Sequence, residues 1–260
     1  MKKKYITLEE IREIQLDILR KVHTFCIENK LRYSLGGGTL LGAVRHQGYI
    51  PWDDDIDIMM PRPDYEKFLL AFNSENLSII DCKRTPTYFK PFAKVFDCRT
   101  VLEEENDING IYIDIFPIEG LPNPQKWKEY FKDYSALALK LWKLTKYPNF
   151  EKRSYGRIKY LINKIILPKR ETIIKQIDSF LAKYPYENAL YRGVITGRYA
   201  EKEFMDAKAF QDYVLLPFEG EYFMAIAEYD AYLTKHYGNY MQLPPKEAQI
   251  SNHKYIAYWK

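Results

Sequence analysis

Cysteine is scarce in this chain, and the three present, Cys26, Cys82 and Cys98, are odd in number, widely spaced and outside any paired Cys/His pattern. That argues against a disulfide framework and against a zinc site, so all three are expected to be reduced and structural. Long hydrophobic runs are missing as well. No stretch approaches the roughly 18 consecutive apolar residues needed to span a bilayer, and the basic start Met1-Lys2-Lys3-Lys4 leads into a charged helix rather than an apolar signal core. The expected compartment is the cytoplasm. An excess of one charge is lacking too: 39 Lys and Arg face 35 Asp and Glu, and a formal net charge of +4 is too small to mark a nucleic-acid binder. No internal repeat, low-complexity stretch or Gly/Ser/Pro-rich tether divides the 260 residues. One continuous unit, 1–260, is therefore expected rather than two independent domains.

Apolar residues, at 47% with 16% aromatics, are enough to fill a sizeable core. Thr7 and Glu10 form a capping-box pattern, and Ile11, Ile14, Ile18, Val22 and Phe25 recur at helical spacing, which predicts a first helix covering a sheet. Short strands are expected at Arg32–Leu35 and Ile56–Met60, the latter stopped by Pro61, with a helix over Thr39–Arg45 between them. A helix at Asp64–Phe72 and strands at Leu77–Asp81 and Phe92–Phe96 come next, then a buried strand from Gly110 to Pro117. Beyond Pro124 the character turns helical and basic, with Trp127–Leu144 and Tyr155–Ile166 as main helices and Pro168 as a stop. The expected class is thus α/β (α+β), a mixed sheet with helices in 1–120 and a mainly helical 121–260 completing the site. From Lys126 to Lys175 fourteen Lys/Arg stand against four Asp/Glu. Such a face suits an anionic polymer or peripheral contact with the inner face of the plasma membrane; it equally suits an ordinary solvated set of helices.

The chemistry concentrates between Gly36 and Asp57. The turn Gly36-Gly37-Gly38 permits sharp bending and close approach of a ligand, and the helix start at Thr39 would aim free N–H groups at an anion. Then come Asp53, Asp54, Asp55 and Asp57. On a strand, Asp55 and Asp57 would face one way and Ile56 and Ile58 the other; Asp53 shares their phase, and Asp54 would point away. Carboxylates projecting together need a positive partner, and hard oxygen ligands beside a phosphate site favour Mg²⁺ or Mn²⁺. Asp114, an isolated acid within Ile-Tyr-Ile-Asp-Ile-Phe, is the third ligand candidate. A lone Asp-x-Asp occurs by chance, in calcium loops and in glycosyltransferases. Its conjunction with a glycine turn and a third acid on a later strand is the logic of two-metal phosphoryl displacement. In that scheme the Gly37-Gly38-Thr39 turn is the phosphate cradle beside the metal site.

Gly37-Gly38-Thr39-Leu40-Leu41-Gly42-Ala43-Val44-Arg45-His46, followed by Ile50-Pro51-Trp52-Asp53-Asp54-Asp55-Ile56-Asp57-Ile58, closely resembles the signature of the LicD family, which includes fukutin and fukutin-related protein. Lys94, Arg99-Thr100, Ile113-Asp114-Ile115-Phe116-Pro117, Tyr237-Gly238-Asn239-Tyr240-Met241 and the ending His253 to Lys260 extend the resemblance over nearly the whole chain. It implies a nucleotidyltransferase-like mixed sheet. It also implies transfer of phosphocholine or a related phospho-alcohol from CDP-choline or another CDP-alcohol to a cell-surface glycan such as lipopolysaccharide or teichoic acid, the fukutin branch using ribitol phosphate. With the donor that the resemblance implies, Gly37, Gly38 and Thr39 would hold its diphosphate and Arg45 and Lys94 would neutralise it, unless those two cations simply pair with the acids. His253 is singled out as a substrate contact by this resemblance alone. A quaternary ammonium donor would require aromatic faces, for which Trp52, Tyr237, Tyr240, Tyr255, Tyr258 and Trp259 are candidates. His23 and His236 are expected to be structural. Two other classes remain open: a metal-dependent glycosyltransferase, which needs neither the Gly-Gly-Thr nor a third acid, and a non-catalytic glycan- or membrane-binding module working through the basic helices.

Overall fold

The computed structural model describes residues 3–103, 110–146, 154–197, 202–250 and 256–260. Along the first half run β1 (Lys4–Ile6), α1 (Leu8–Glu28), β2 (Ser34–Leu35), α2 (Gly37–His46), β3 (Asp57–Pro61), α3 (Arg62–Ala71), β4 (Leu77–Ile80), β5 (Ala93–Asp97), β6 (Thr100–Leu102) and the long β7 (Tyr112–Leu121). The capping box at the start of α1 is formed: Thr7 N–H donates to Glu10 Oε2 at 2.8 Å and Glu10 N–H donates to Thr7 Oγ1 at 3.2 Å. Such a cap is worth about 1 kcal/mol and sets the entry of a helix whose apolar stripe, Ile11, Ile18, Leu19 and Val22, is buried.

The central sheet takes the order β2-β3-β7-β5-β4, with β3 and β7 parallel and the other neighbours antiparallel. Its register is set by apolar residues. Ile56, Ile58, Ile113 and Ile115 are all fully buried, and each contributes about 1.5–3 kcal/mol of transfer free energy. Because a slip of one residue would expose them, Asp57 and Asp114, which sit between them in the alternation, are held on the opposite face. The strand begins at Asp57 rather than Ile56, so Asp55 lies in the loop before it instead of on the same pleat. Pro61 both ends β3 and precedes α3, and Pro63 falls in the first helical turn, where its missing N–H costs nothing.

The second half opens with α4 (Trp127–Lys146), α5 (Ser154–Ile166) and α6 (Arg170–Leu181). After α6 strands predominate, where the basic second half was expected to stay mainly helical. The chain continues through β8 (Tyr191–Gly193), β9 (Met205–Asp206), the hairpin β10 (Tyr213–Phe218) and β11 (Glu221–Ile226), α7 (Tyr229–Tyr237) and β12 (Ala257–Trp259). Glu219 and Gly220 both have positive φ, 51° and 78°, as a two-residue hairpin turn matched to strand twist requires. β8 extends the sheet by pairing with the far end of β7, and β12 joins β1 and β6 in a separate three-stranded sheet. Two hydrophobic clusters meet along β7: Ile118 belongs to the one under the central sheet, and Leu121 to the one that α4 and α6 build from Trp127, Tyr130, Tyr134 and Phe180. No helix among the described residues is long and apolar enough to cross a membrane. All three cysteines are free, and burial pushes the Cys26 thiol up to about 12, an inert structural thiol.

Candidate active site

Three ionisable side chains share one register across three adjacent strands. Asp57 of β3 lies opposite Asp114 of β7, and Asp114 lies opposite Lys94 of β5. Lys94 is fully buried and its Nζ reaches Asp114 Oδ1 at 2.6 Å, while also sitting 3.2 Å from the centre of the Tyr112 ring. Asp57 is partly buried, and its carboxyl is raised well above the usual carboxylate range, first by burial and then by the charges of Asp55, Asp114 and Asp53, with Lys94 opposing. Like charges directly across a sheet are destabilising by themselves. Their persistence here marks a functional position rather than a packing solution.

The loop before β3 adds more oxygen. Asp53, Asp54 and Asp55 each place a carboxylate oxygen within 4.8 Å of the others, a set that could hold a metal ion. Asp54, expected to point away, instead joins this cluster and is buried, because the loop has no strand pleat to alternate its side chains. The chain then enters β3 through Asp57, whose N–H donates to Thr39 Oγ1 at 2.8 Å. Gly36 N–H in turn donates to the Asp57 carbonyl at 2.9 Å. Thr39 is thereby a clamp between the first turn of α2 and the acidic strand.

The glycines admit the carboxylates to the positive end of α2. Gly37 takes a left-handed φ of 47°, and a Cβ there would lie 3.3 Å from Asp57 Oδ2; a Cβ on Gly38 would lie 2.6 Å from Asp53 Oδ2. Gly38→Ala should therefore swing the flexible Asp53 side chain aside with little cost to the fold. The expected outcome is a fall of about 100-fold or more in turnover, with a melting temperature within a few degrees of wild type. Retained turnover would remove Asp53 from the site.

Other sequence candidates are placed differently. Arg45 sits in the last turn of α2, away from the glycines, and its Nη1 donates to the Tyr240 carbonyl at 2.7 Å. His253 and Tyr255 lie outside the described residues. Tyr258 and Trp259 belong to β12, where Lys3 and Arg99 lie over their rings. The Tyr240 hydroxyl bonds Asp230, and Trp52 packs edge-on to His46. Tyr237 is the aromatic brought to the glycine turn, its hydroxyl 3.9 Å from where a Gly37 Cβ would stand.

Several residues that shape the site gave no signal in the sequence. From α1, Arg12 Nη2 donates to the carbonyls of Ile50, Pro51 and Asp53, and buried Gln15 donates through Nε2 to Asp54 O at 3.0 Å and Tyr112 O at 3.3 Å. Tyr49 completes the brace, its hydroxyl donating to Gln15 Oε1 at 3.1 Å beneath the Arg12 guanidinium. Behind the glycine turn, the Tyr232 hydroxyl bonds the Gly37 amide and donates to Glu203 Oε1, which pairs with buried His236 at 3.0 Å. His236 is thus structural, as expected. Because charged donors to carbonyls are worth about 1.5–3 kcal/mol and residues orienting metal ligands typically about 10–100-fold in metal affinity, Arg12→Ala should loosen the acidic loop. Isothermal titration with Mn²⁺ should show affinity reduced by at least about tenfold; an unchanged affinity would make Arg12 mere surface packing.

Carboxylates gathered at a helix start and paired across a mixed sheet define a candidate active site of the phosphoryl-transfer class. Similarity to known proteins agrees. The nucleotidyltransferase-domain model of the LicD/FKTN/FKRP family matches residues 30–153. The lipopolysaccharide cholinephosphotransferase LicD of Haemophilus influenzae is 33% identical over 98% of this chain and 99% of its own length. The human ribitol 5-phosphate transferase FKRP is 30% identical over 103 residues, 40% of this chain and 20% of that protein. An uncharacterized protein of Rickettsia prowazekii is 28% identical over 54% of each. The chain belongs to the LicD family and is an enzyme, a transferase of the LicD type.

Proposed function

We propose that the chain transfers phosphocholine, or a related phospho-alcohol, from a CDP-activated donor to a sugar of a cell-surface glycan such as lipopolysaccharide, teichoic acid or capsule. The observation that carries this reading is the convergence of Asp53, Asp55, Asp57 and Asp114 beside the start of α2 in a chain similar over its whole length to a lipopolysaccharide cholinephosphotransferase. The donor set is all carboxylate oxygen, which fits Mg²⁺ or Mn²⁺ and not zinc or copper. Held by these four acids, the divalent ions would supply charge neutralisation for the diphosphate and the departing CMP.

The protein's own groups do the rest. Gly37, Gly38 and Thr39 bring the α2 start against the donor diphosphate, and Tyr237 offers an aromatic face beside it for an ammonium head group. Asp114, steadied by Lys94, takes the proton of the acceptor hydroxyl. That oxygen bonds to the phosphorus of the transferred group as the phosphorus–oxygen bond to CMP breaks. Residues 1–120 supply the acids, and 121–260 complete the site through α7. Arg45 serves by fixing the turn at Tyr240 that follows α7 rather than by meeting phosphate.

The test is to incubate the purified protein with Mg²⁺, a lipopolysaccharide or teichoic acid acceptor, and in turn CDP-choline, CDP-glycerol, CDP-ribitol and nucleotide sugars. CMP released with label transferred from one CDP-alcohol supports the proposal and names the alcohol. Release of a nucleoside diphosphate from a nucleotide sugar would replace it with a glycosyltransferase. No release from any of these donors would overturn the proposal.

A further inference from the structure

Helix α5 is turned the wrong way for a helix facing water. Over its last turns, Tyr160, Asn163 and Leu167 lie on the half-buried side, while Leu161, Ile162, Ile165 and Ile166 face outward with relative exposures of 59%, 46%, 84% and 71%. Soluble helices place such residues on the inner stripe. Four neighbouring aliphatic side chains at i, i+1, i+4 and i+5 form one contiguous ridge, not the scattered exposure that any surface shows.

The charges around the ridge decide what covers it. Lys164 is exposed within it, with its Nζ 5.0 Å from the Tyr160 ring centre, and exposed Lys169 follows Pro168 just beyond. The surrounding segment, Lys126 to Lys175, holds fourteen cations against four acids, whereas the rest of the chain is net acidic. A strongly apolar ridge flanked by cations is complementary to a surface that is oily beneath and negative above. A second copy of the same chain would instead set this positive segment against itself.

We propose that the outer face of α5 docks the enzyme peripherally on an anionic lipid bilayer, with Ile162, Ile165 and Ile166 entering the acyl boundary and Lys164 and Lys169 meeting lipid phosphates. This surface is independent of the transfer site, and its proof or failure does not bear on which donor is used.

The experiment is co-sedimentation of the full chain with vesicles of phosphatidylcholine alone and of phosphatidylcholine with phosphatidylglycerol, at low and high salt. The wild-type protein is expected to pellet with the anionic vesicles and to be released as salt rises. Ile165→Glu with Ile166→Glu should reduce partitioning at least about tenfold. Lys164→Glu with Lys169→Glu should do the same, since each cation is worth roughly fivefold near an acidic surface. Both variants should keep the wild-type melting temperature and the wild-type rate of nucleotide release from a soluble donor and acceptor, because every substituted side chain is exposed and none belongs to the acidic site. Failure of the wild-type protein to pellet with anionic vesicles, or equal pelleting by the Ile165/Ile166 variant, would overturn the proposal. So would light scattering that shows a lipid-free dimer dissociated by the same two substitutions, which would assign the ridge to self-association.

Discussion

Asp57→Asn should reduce turnover by at least about three orders of magnitude while leaving the protein folded. The amide keeps the shape of the carboxylate and leaves the strand's backbone bonds to Thr39 and Gly36 in place, so circular dichroism and the melting curve should be unchanged or slightly improved. Improvement is the informative direction. In the protein without metal, Asp57 stands among the charges of Asp55, Asp114 and Asp53, and removing one charge relieves that crowding. What is lost is transition-state stabilisation of several kcal/mol, each increment of about 1.36 kcal/mol being tenfold in rate. Asp55→Asn should act the same way. Asp114→Asn should differ in one respect: if its carboxylate serves the acceptor hydroxyl, equilibrium binding of the CDP donor should survive better than turnover. Near-normal turnover of Asp57→Asn at saturating Mg²⁺ would sink the metal assignment.

Local signals in the chain were legible because their physics is local. The capping box at Thr7 and Glu10 uses residues three apart, and both of its bonds are formed. The alternation of Ile113, Asp114 and Ile115 gave a buried strand carrying one acid because burial of the isoleucines alone fixes the face. Asp53 to Asp55 were harder. Strand alternation predicts Asp54 opposite to Asp55, but the segment is a loop braced by Arg12 and Gln15 from α1, about forty residues upstream, and no periodicity reports a bond of that span. The β10–β11 hairpin was missed for a related reason: its Glu219-Gly220 turn lacks the usual Asn or Asp, and its partner Ser34, which accepts from Ile226 N–H, is remote in sequence. Lys94 illustrates the limit most sharply. A lysine in a strand near a phosphate site reads equally as a substrate contact or as a counter-ion, and only the register of β5 against β7 puts it opposite Asp114.

Lys94→Met distinguishes those two roles. Lys94 has no exposed side-chain surface and Asp114 only 15%, so methionine would fill the space while leaving a largely buried carboxylate without its cation. Breaking such a pair typically costs about 3–5 kcal/mol, which for a chain of this length corresponds to a melting temperature lower by roughly 10 °C. Turnover should fall as well, because Asp114 would lose the partner that orients it. The double variant Lys94→Met with Asp114→Asn removes both charges, and a neutral pair of similar shape costs little. It should therefore recover most of the lost stability and none of the activity, a coupling that a double-mutant cycle on thermal unfolding measures directly. A donor-contact role predicts the opposite pattern. Lys94→Met would then weaken donor binding with little change in melting temperature, and adding Asp114→Asn would restore nothing. The 2.6 Å approach to Asp114 Oδ1 and the absence of exposed surface favour the first outcome: a cation with no exposed surface, beside Asp114 on the same face of the sheet, reaches the donor only through the carboxylate it holds in place.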